Sequence, residues 1–187
     1  KHLFTLTSFL KEDLVKAGAS AEKITVAPDG VNLKMFANLP DKMVVREKIG
    51  LPVDKKIVLY TGSFYLYSWK GVDVLLESAK RFSADTLFVL VGGDKKEIEA
   101  IKNSGIGSNI LLVPHRPHKE IAMYLVSADV LVLPNKAGSL HSERYTSPLK
   151  LFEYMASGVP IVASCLPSIC EVLNNENSFL IAPDSAD

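Results

Sequence analysis

The sequence predicts a doubly wound α/β domain, a mostly parallel sheet of about six strands with helices on both faces. Three observations lead there. From residue 56 onward, short apolar runs alternate with amphipathic stretches. The apolar runs are continuous, the pattern of strands buried on both faces. The links between them are short and carry glycine or proline, as strand–helix–strand units require.

Each element has its own local reason. Residues 3–7 suit a strand and residues 8–16 a helix with Ser8 as N-cap. Gly18 stops that helix, 24–27 reads as a short strand, and Pro28-Asp29-Gly30 is a turn. Residues 35–48 hold no strong period. Ile57-Val58-Leu59-Tyr60 is the first core strand. Residues 70–82 follow as a helix with Val72, Leu75, Leu76, Ala79 and Phe82 on one stripe. Strand 87–91 closes on Gly92-Gly93, and helix 95–103 ends near Gly105. Strand 110–113, helix 119–126 and strand 130–133 come next, the last stopped by Pro134. Helix 148–157 has Ser147 as N-cap and Pro148 at its first position, where the missing N–H would be unpaired anyway. Gly158 is its stop. Strand 161–163, helix 168–173 and strand 179–181 complete the series.

Composition narrows the function. The chain has 187 residues, 48% hydrophobic and 22% charged. That is ordinary globular usage and argues against disorder, collagen and a coiled coil. Basic and acidic residues balance, 21 against 21, with an isoelectric point near 7.1. A nucleic-acid partner is therefore not expected, because such binders carry a basic excess. The longest apolar run, 121–126, falls far short of the ~20 residues that span a bilayer. The opening Lys1-His2-Leu3-Phe4 lacks the architecture of a leader peptide. Cys165 and Cys170 are the only cysteines, too few for a disulfide framework or a zinc site, so a reducing, cytoplasmic setting is expected.

In open α/β sheets ligands sit at the carboxyl ends of the strands. The loops to watch are therefore 62–69, 92–94, 114–118 and 134–147. The last exceeds the ~2–6 residues usual for such links, and long loops carry function. The strongest local signal is Thr146-Ser147-Pro148-Leu149-Lys150-Leu151-Phe152-Glu153. The unpaired N–H groups of a helix start bind anions. Glu153 shares a face with Leu149 and Lys150 and leans toward that start, where a carboxylate suits paired sugar hydroxyls. The same residues equally suit a capped surface helix with a Lys150 pair to Glu153. Lys70 suits a phosphate as a point charge, although a solvated lysine would look the same. Gly62 allows a ligand close to the backbone, or is simply a turn. Arg116, between Pro114 and Pro117, could stack on a base, contact phosphate, or lie on the surface. Gly92-Gly93-Asp94 is not a dinucleotide fingerprint. His115 and His118 have no Cys or carboxylate cluster beside them, so no metal is expected. His141, Glu143 and Arg144 could serve an acceptor. Ser139 and Ser142 lack a nucleophile elbow.

Several segments, in order, resemble the retaining GT-B glycosyltransferases of family 4, or group 1. Val26-Ala27-Pro28-Asp29-Gly30-Val31-Asn32 with Phe36 is similar to the linker motif of that family. Tyr60-Thr61-Gly62-Ser63 with Lys70-Gly71-Val72-Asp73 is similar to its phosphate loop. Ala128-Asp129-Val130-Leu131-Val132-Leu133-Pro134 resembles its fourth-strand signature, and residues 147–164 resemble its donor-binding helix.

The resemblance implies a Rossmann-like, donor-binding C-terminal half of a two-domain enzyme. It would transfer a glycosyl group from a nucleotide-diphosphate sugar to a glycan or lipid-linked acceptor, with retention and without metal or cofactor. Residues 1–37 would be the remnant of an N-terminal domain and its linker, and 38–187 the nucleotide-sugar domain. The crossover helix would lie beyond Asp187, and the fragment alone would be inactive. A membrane surface, on its cytoplasmic face, would be met by the whole enzyme. By resemblance Lys70 and Glu153 are catalytic, Lys70 on the diphosphate and Glu153 on the ribose. Ser147, Pro148 and Leu149 would hold the diphosphate with their backbone, Arg116 would sit by the base, and Gly62 and Ser63 would lie along the donor. Two departures stand out. The two glutamates of the family enclose seven residues, and with Glu153 as the second, the first position is Tyr145, with Glu143 nearby and out of register. Where many members carry arginine after the phosphate-loop glycine, this chain has Ser63, leaving Arg116 or Arg144 to substitute. The competing functions are a nucleotide-sugar epimerase or hydrolase, a non-catalytic nucleotide-binding domain and, less favoured, a dinucleotide oxidoreductase.

Overall fold

The computed structural model describes residues 1–64 and 68–186. Strand β1 (Leu3–Thr5) pairs in parallel with β2 (Ile24–Val26) across helix α1 (Ser8–Lys16), forming a small two-stranded sheet. Helix α2 (Lys42–Ile49) leads into the main sheet. Its strands are β3 (Lys56–Thr61), β4 (Thr86–Gly93), β5 (Ile110–Pro114), β6 (Val130–Leu133), β7 (Ile161–Ser164) and β8 (Phe179–Ile181). Between them run α3 (Val72–Ala79), α4 (Lys95–Asn103), α5 (His118–Ser127), α6 (Leu149–Ser157) and α7 (Pro167–Cys170). The six strands are parallel, in the order β5-β4-β3-β6-β7-β8. The chain therefore winds outward from β3 to β5, returns to the other side of β3 with β6, and winds outward again. The gap between the ends of β3 and β6 is the topological switch point, where ligands of such sheets bind.

The continuous apolar runs have a simple cause. Along β3, Ile57 and Leu59 join a core with Leu125, Leu131, Leu151 and Tyr154. Val58 and Tyr60 join a second core with Leu75, Leu90, Ile98 and Ile101. Successive side chains point to opposite faces, and both faces are covered, so no polar alternation survives. Among the described residues no helix is long and apolar enough to cross a membrane.

Several expected boundaries move. The N-cap of α1 is Thr7, whose hydroxyl accepts from the Leu10 N–H, and not Ser8. The stretch 70–82 is not one helix. Ser68–Lys70 is a 3₁₀ turn, Gly71 is left-handed at φ 69°, and α3 starts only at Val72. Phe82 lies beyond α3, 50% exposed, with its ring edge on Phe88. Helix α7 starts and ends earlier than 168–173. Residues 35–48, read as without period, contain most of α2. Its inward positions are Val45 and Arg46, and a buried arginine breaks an apolar stripe. That arginine is fully engaged. It donates to the carbonyls of Ser127 (2.8 Å) and Lys55 (3.0 Å) and to the Asp129 carboxylate (2.8 Å). Burial raises the Asp129 pKa, but bonds from Lys42, the Ile57 N–H and Arg46 outweigh it and bring it down to about 2. The carboxylate thus ties α2 to the starts of β3 and β6.

Candidate functional site

A cleft of ≈ 610 Å³ opens over the switch point. The loops after β3, β5 and β6 and the end of β4 contribute. Gly62, Ser63, Trp69 and Lys70 follow β3, and His115 and Arg116 follow β5. Asn135 follows β6, and the far wall is the start of α6, from Ser147 to Glu153. Residues 65–67 of the 62–69 loop lie outside the described residues. The two switch-point loops are stitched together by the Lys136 N–H donating to the Trp69 carbonyl at 2.8 Å. A Cβ at Gly71 would lie 1.7 Å from the Pro134 carbonyl oxygen, so only glycine permits this approach.

Helix α6 is aimed by its own sequence. Leu151 and Tyr154 are fully buried against the sheet. The Tyr154 phenol accepts from the Thr61 N–H at 2.9 Å, which pins α6 to the end of β3. Burial pushes that phenol up to about 12, so it stays a neutral partner. The helix start is not built as expected. Pro148 is the N-cap position, no side chain caps the turn, and the helix begins at Leu149. The Ser147 hydroxyl instead accepts from the Asp29 N–H at 3.1 Å, holding the 28–30 turn against the cleft. The Leu151 N–H donates to the Pro148 carbonyl at 2.9 Å, and among the described residues the Leu149 and Lys150 N–H groups are left for a ligand.

Charge gathers beside them. Lys70 Nζ donates to Ser63 Oγ at 2.9 Å, and burial lowers its pKa against an opposing pull from Glu97. Lys150 turns its ammonium inward over the Tyr60 ring, 4.0 Å from the centroid. A Cβ at Gly62 would lie 3.1 Å from that ammonium, so the glycine leaves room for the lysine tip as well as for a ligand. Four buried side-chain polar atoms lack a hydrogen-bond partner among the described residues. Three of them, Lys150 Nζ, Arg116 Nε and Asn135 Oδ1, belong to residues that line this cleft. Buried polar groups are normally paired, so such a concentration marks where a polar ligand belongs. Glu153, 14% exposed, also lines the cleft, with Oε1 2.5 Å from His118 Nε2. It lies four residues beyond Leu149, ~6 Å along the helix axis. The arrangement suits an elongated ligand, anionic where it meets the helix start and carrying a diol farther along.

The cleft thus brings together Gly62, Ser63, Lys70, Arg116, Ser147, Pro148, Leu149 and Glu153, all singled out from the sequence. It does not bring in Tyr145 or Glu143. The Tyr145 hydroxyl donates to Asp13 on α1 at 2.6 Å, and Glu143 accepts from the Gly138 N–H at 2.6 Å. Arg144 turns to α1 as well, with Nη2 3.4 Å from Asp13 and its guanidinium over the Phe9 ring. It cannot stand in for a missing arginine here. Arg144 and Tyr145 both belong to a π-helical turn, His141–Tyr145, inside the long loop, which points them toward α1. His141 lies against the Trp69 ring instead. His118 has a carboxylate partner and no metal set, and no group of three or more His, Cys, Asp or Glu gathers among the described residues. Lys150 and Trp69 are cleft residues that were not singled out as ligands from the sequence. A lysine at the second position of a helix, where its charge opposes the dipole, was the available signal for the first.

The family described as glycosyl transferases group 1 matches residues 55–187. A D-inositol 3-phosphate glycosyltransferase of Xylanimonas cellulosilytica is 30% identical over 184 residues, 91% of this chain and 42% of that protein. A putative teichuronic acid biosynthesis glycosyltransferase of Bacillus subtilis is 26% identical, over 87% of this chain and 38% of its own. Among solved structures, Anabaena HepE in complex with UDP-glucose superimposes with a TM-score of 0.79 at 18% identity, covering 99% of this chain and 50% of that one. Sucrose-phosphate synthase of Thermosynechococcus elongatus gives 0.78 at 25% identity, covering 98% and 45%. The chain spans about two fifths of the length of the curated relatives it matches.

Proposed function

The chain belongs to the group 1 glycosyl transferases, with the α/β fold of the GT-B enzymes, and from that premise we propose that its switch-point cleft binds a nucleotide-diphosphate sugar. It serves as the donor-binding half of an enzyme that passes the glycosyl group, with retention, to a glycan or lipid-linked acceptor. What carries this is the convergence on one cleft of three buried polar atoms without a partner among the described residues, beside Lys70 and an uncapped helix start. The related fold solved with UDP-glucose supports a nucleotide sugar as the ligand class.

Lys70 and the first-turn N–H groups of α6 receive the diphosphate, Glu153 accepts from the ribose hydroxyls, and the Arg116 plane faces the base. In the reaction the bond from the anomeric carbon to the phosphate oxygen breaks, and its electron pair stays on the diphosphate. The acceptor oxygen forms the new bond to the anomeric carbon, and its proton passes to the departing diphosphate oxygen. Negative charge grows on the leaving diphosphate, and each fixed donor aimed at it is worth roughly 3–4 kcal/mol in comparable oxyanion sites.

Thermal-shift measurements with nucleoside diphosphates and their sugar conjugates test the proposal. A ligand at 100 times its Kd stabilises by about 2.7 kcal/mol, which for a chain of this size raises Tm by roughly 5–11 °C. One base is expected to give that shift and Lys70→Ala to abolish it. No shift with any of them overturns the proposal. In the full enzyme, Lys70→Ala is expected to cut turnover at saturating donor, and the anomeric configuration of the product tests retention.

A further inference from the structure

Lys150 is placed where a lysine is least comfortable. Its ammonium is buried, has no hydrogen-bond partner among the described residues, and rests on the Tyr60 ring at 4.0 Å. It sits at the second residue of α6, against the positive end of the helix dipole. Lys70 is its neighbouring cation, and Glu153 on its own helix is the neighbouring anion. The other groups around it are the Tyr60 and Tyr154 phenols, Glu97 behind Ser63 and Phe64, Arg116 across the cleft, and Asp29 at the rim. His118 occupies Glu153. Among the described residues no anion pairs with Lys150 directly.

A nucleotide-diphosphate sugar carries two negative charges on its two phosphates. Lys70 can answer one. On the donor reading above, we propose that Lys150 is the second cation of the diphosphate subsite, and that it takes up a proton from solvent as the donor binds. Nothing else in the step changes protonation: one proton moves from water to Nζ, and the phosphates keep their charge. Burial, first of all, and then the charge of Lys70 bring the Lys150 pKa down to about 7 in the free chain, against the pull of Glu153. The buried amine is thus close to neutral above pH 7 and tolerated without a partner. An incoming phosphate replaces the lost solvation and restores the charge.

Trp69 is the only tryptophan of the chain and lines the cleft, so its emission reports binding. The probes are UDP-glucose, GDP-mannose and ADP-glucose, whose diphosphates do not titrate near neutral pH. Titrations of the chain run from pH 6.5 to 8.5. For the sugar nucleotide that binds, Kd is expected to rise about 15-fold between pH 7 and 8.5, as proton linkage to a group near 7 requires. Lys150→Met is expected to raise Kd at pH 6.5 at least tenfold and to remove most of that pH dependence. Lys150→Arg, which stays charged, keeps binding with a flattened profile. The Tm of Lys150→Met is expected to equal or exceed that of the parent, because it removes a buried polar amine that has no partner among the described residues, and this separates lost binding from lost folding. If the parent binds and Lys150→Met matches it in affinity and in pH profile, the inference falls and the donor reading stands. If the parent binds none of the three probes, the donor reading falls and takes the inference with it.

Discussion

Replacing Glu153 by alanine separates a ligand contact from a structural one. Among the described residues its carboxylate has one hydrogen-bonded partner, His118, whose side chain is 68% exposed. An ion pair with so exposed a partner contributes at most about 1 kcal/mol to stability. The helix itself is held by Leu151 and Tyr154, which the substitution leaves alone. Loss of Tm is therefore expected to stay within about 4 °C. Binding is another matter. A hydrogen bond from a ribose hydroxyl to a charged acceptor is worth roughly 1.5–3 kcal/mol, so the variant should lose about 10- to 150-fold in affinity for the nucleoside diphosphate that binds the parent. Trp69 fluorescence or calorimetry reads this, at pH 6 so that Lys150 stays protonated without its neighbouring carboxylate. The decisive control is the 2′,3′-dideoxy analogue. The parent should discriminate against it by the same factor, and Glu153→Ala should not discriminate at all. Equal preference for the ribose form in both proteins would refute a ribose contact at Glu153.

Two further substitutions probe the frame around the cleft. Arg46→Met leaves the Asp129 carboxylate with Lys42 and the Ile57 N–H and orphans the Ser127 and Lys55 carbonyls. It should cost about 3 kcal/mol, the low end for breaking a buried pair, or roughly 6–12 °C in Tm, measured by urea unfolding and calorimetry. The parent also carries an acid-sensitive increment. The Asp129 pKa is depressed from 3.8 to about 2, so its contribution is complete above pH 3.8 and is lost as pH falls toward 2. That increment should shrink in Arg46→Met, and an unchanged acid limb would argue against it. Gly71→Ala forces a side chain into the left-handed region at about 1–2 kcal/mol and drives its Cβ into the Pro134 carbonyl. Donor binding should fall with stability because Lys70 and Asn135 flank the contact; an alanine variant that folds and binds like the parent would contradict the packing.

The legible part of the fold was the part written in short-range pattern. Four-residue runs such as Ile57-Val58-Leu59-Tyr60 and Val130-Leu131-Val132-Leu133 announce strands buried on both faces because both faces are covered. The stop at Gly158 followed from local capping chemistry, and the helix at 95–103 has the bounds read for it. Helix α2 was hidden because its inward arginine is satisfied by three partners that lie 9–83 residues away. The start of α6 was half legible. The exposed N–H groups were foreseeable, but Ser147 looked like their cap until the turn at Asp29 took its hydroxyl. Tyr145 and Arg144 looked close to the donor because they precede the helix, and a single π-helical turn carried them to α1.

By itself, then, the sequence determined the strand–helix order, the parallel sheet and the polar residues that could meet at its carboxyl edge, since hydrophobic spacing and helix ends obey rules spanning only a few residues. Which of the lysines is stripped of water, which arginine turns away and which carboxylate acquires a histidine depended on packing between distant segments. Lys150 shows the reason. Its charge is set by a tyrosine ring ninety positions earlier and by a loop lysine beside it, and desolvation is a property of the assembled surroundings, absent from any local stretch of chain.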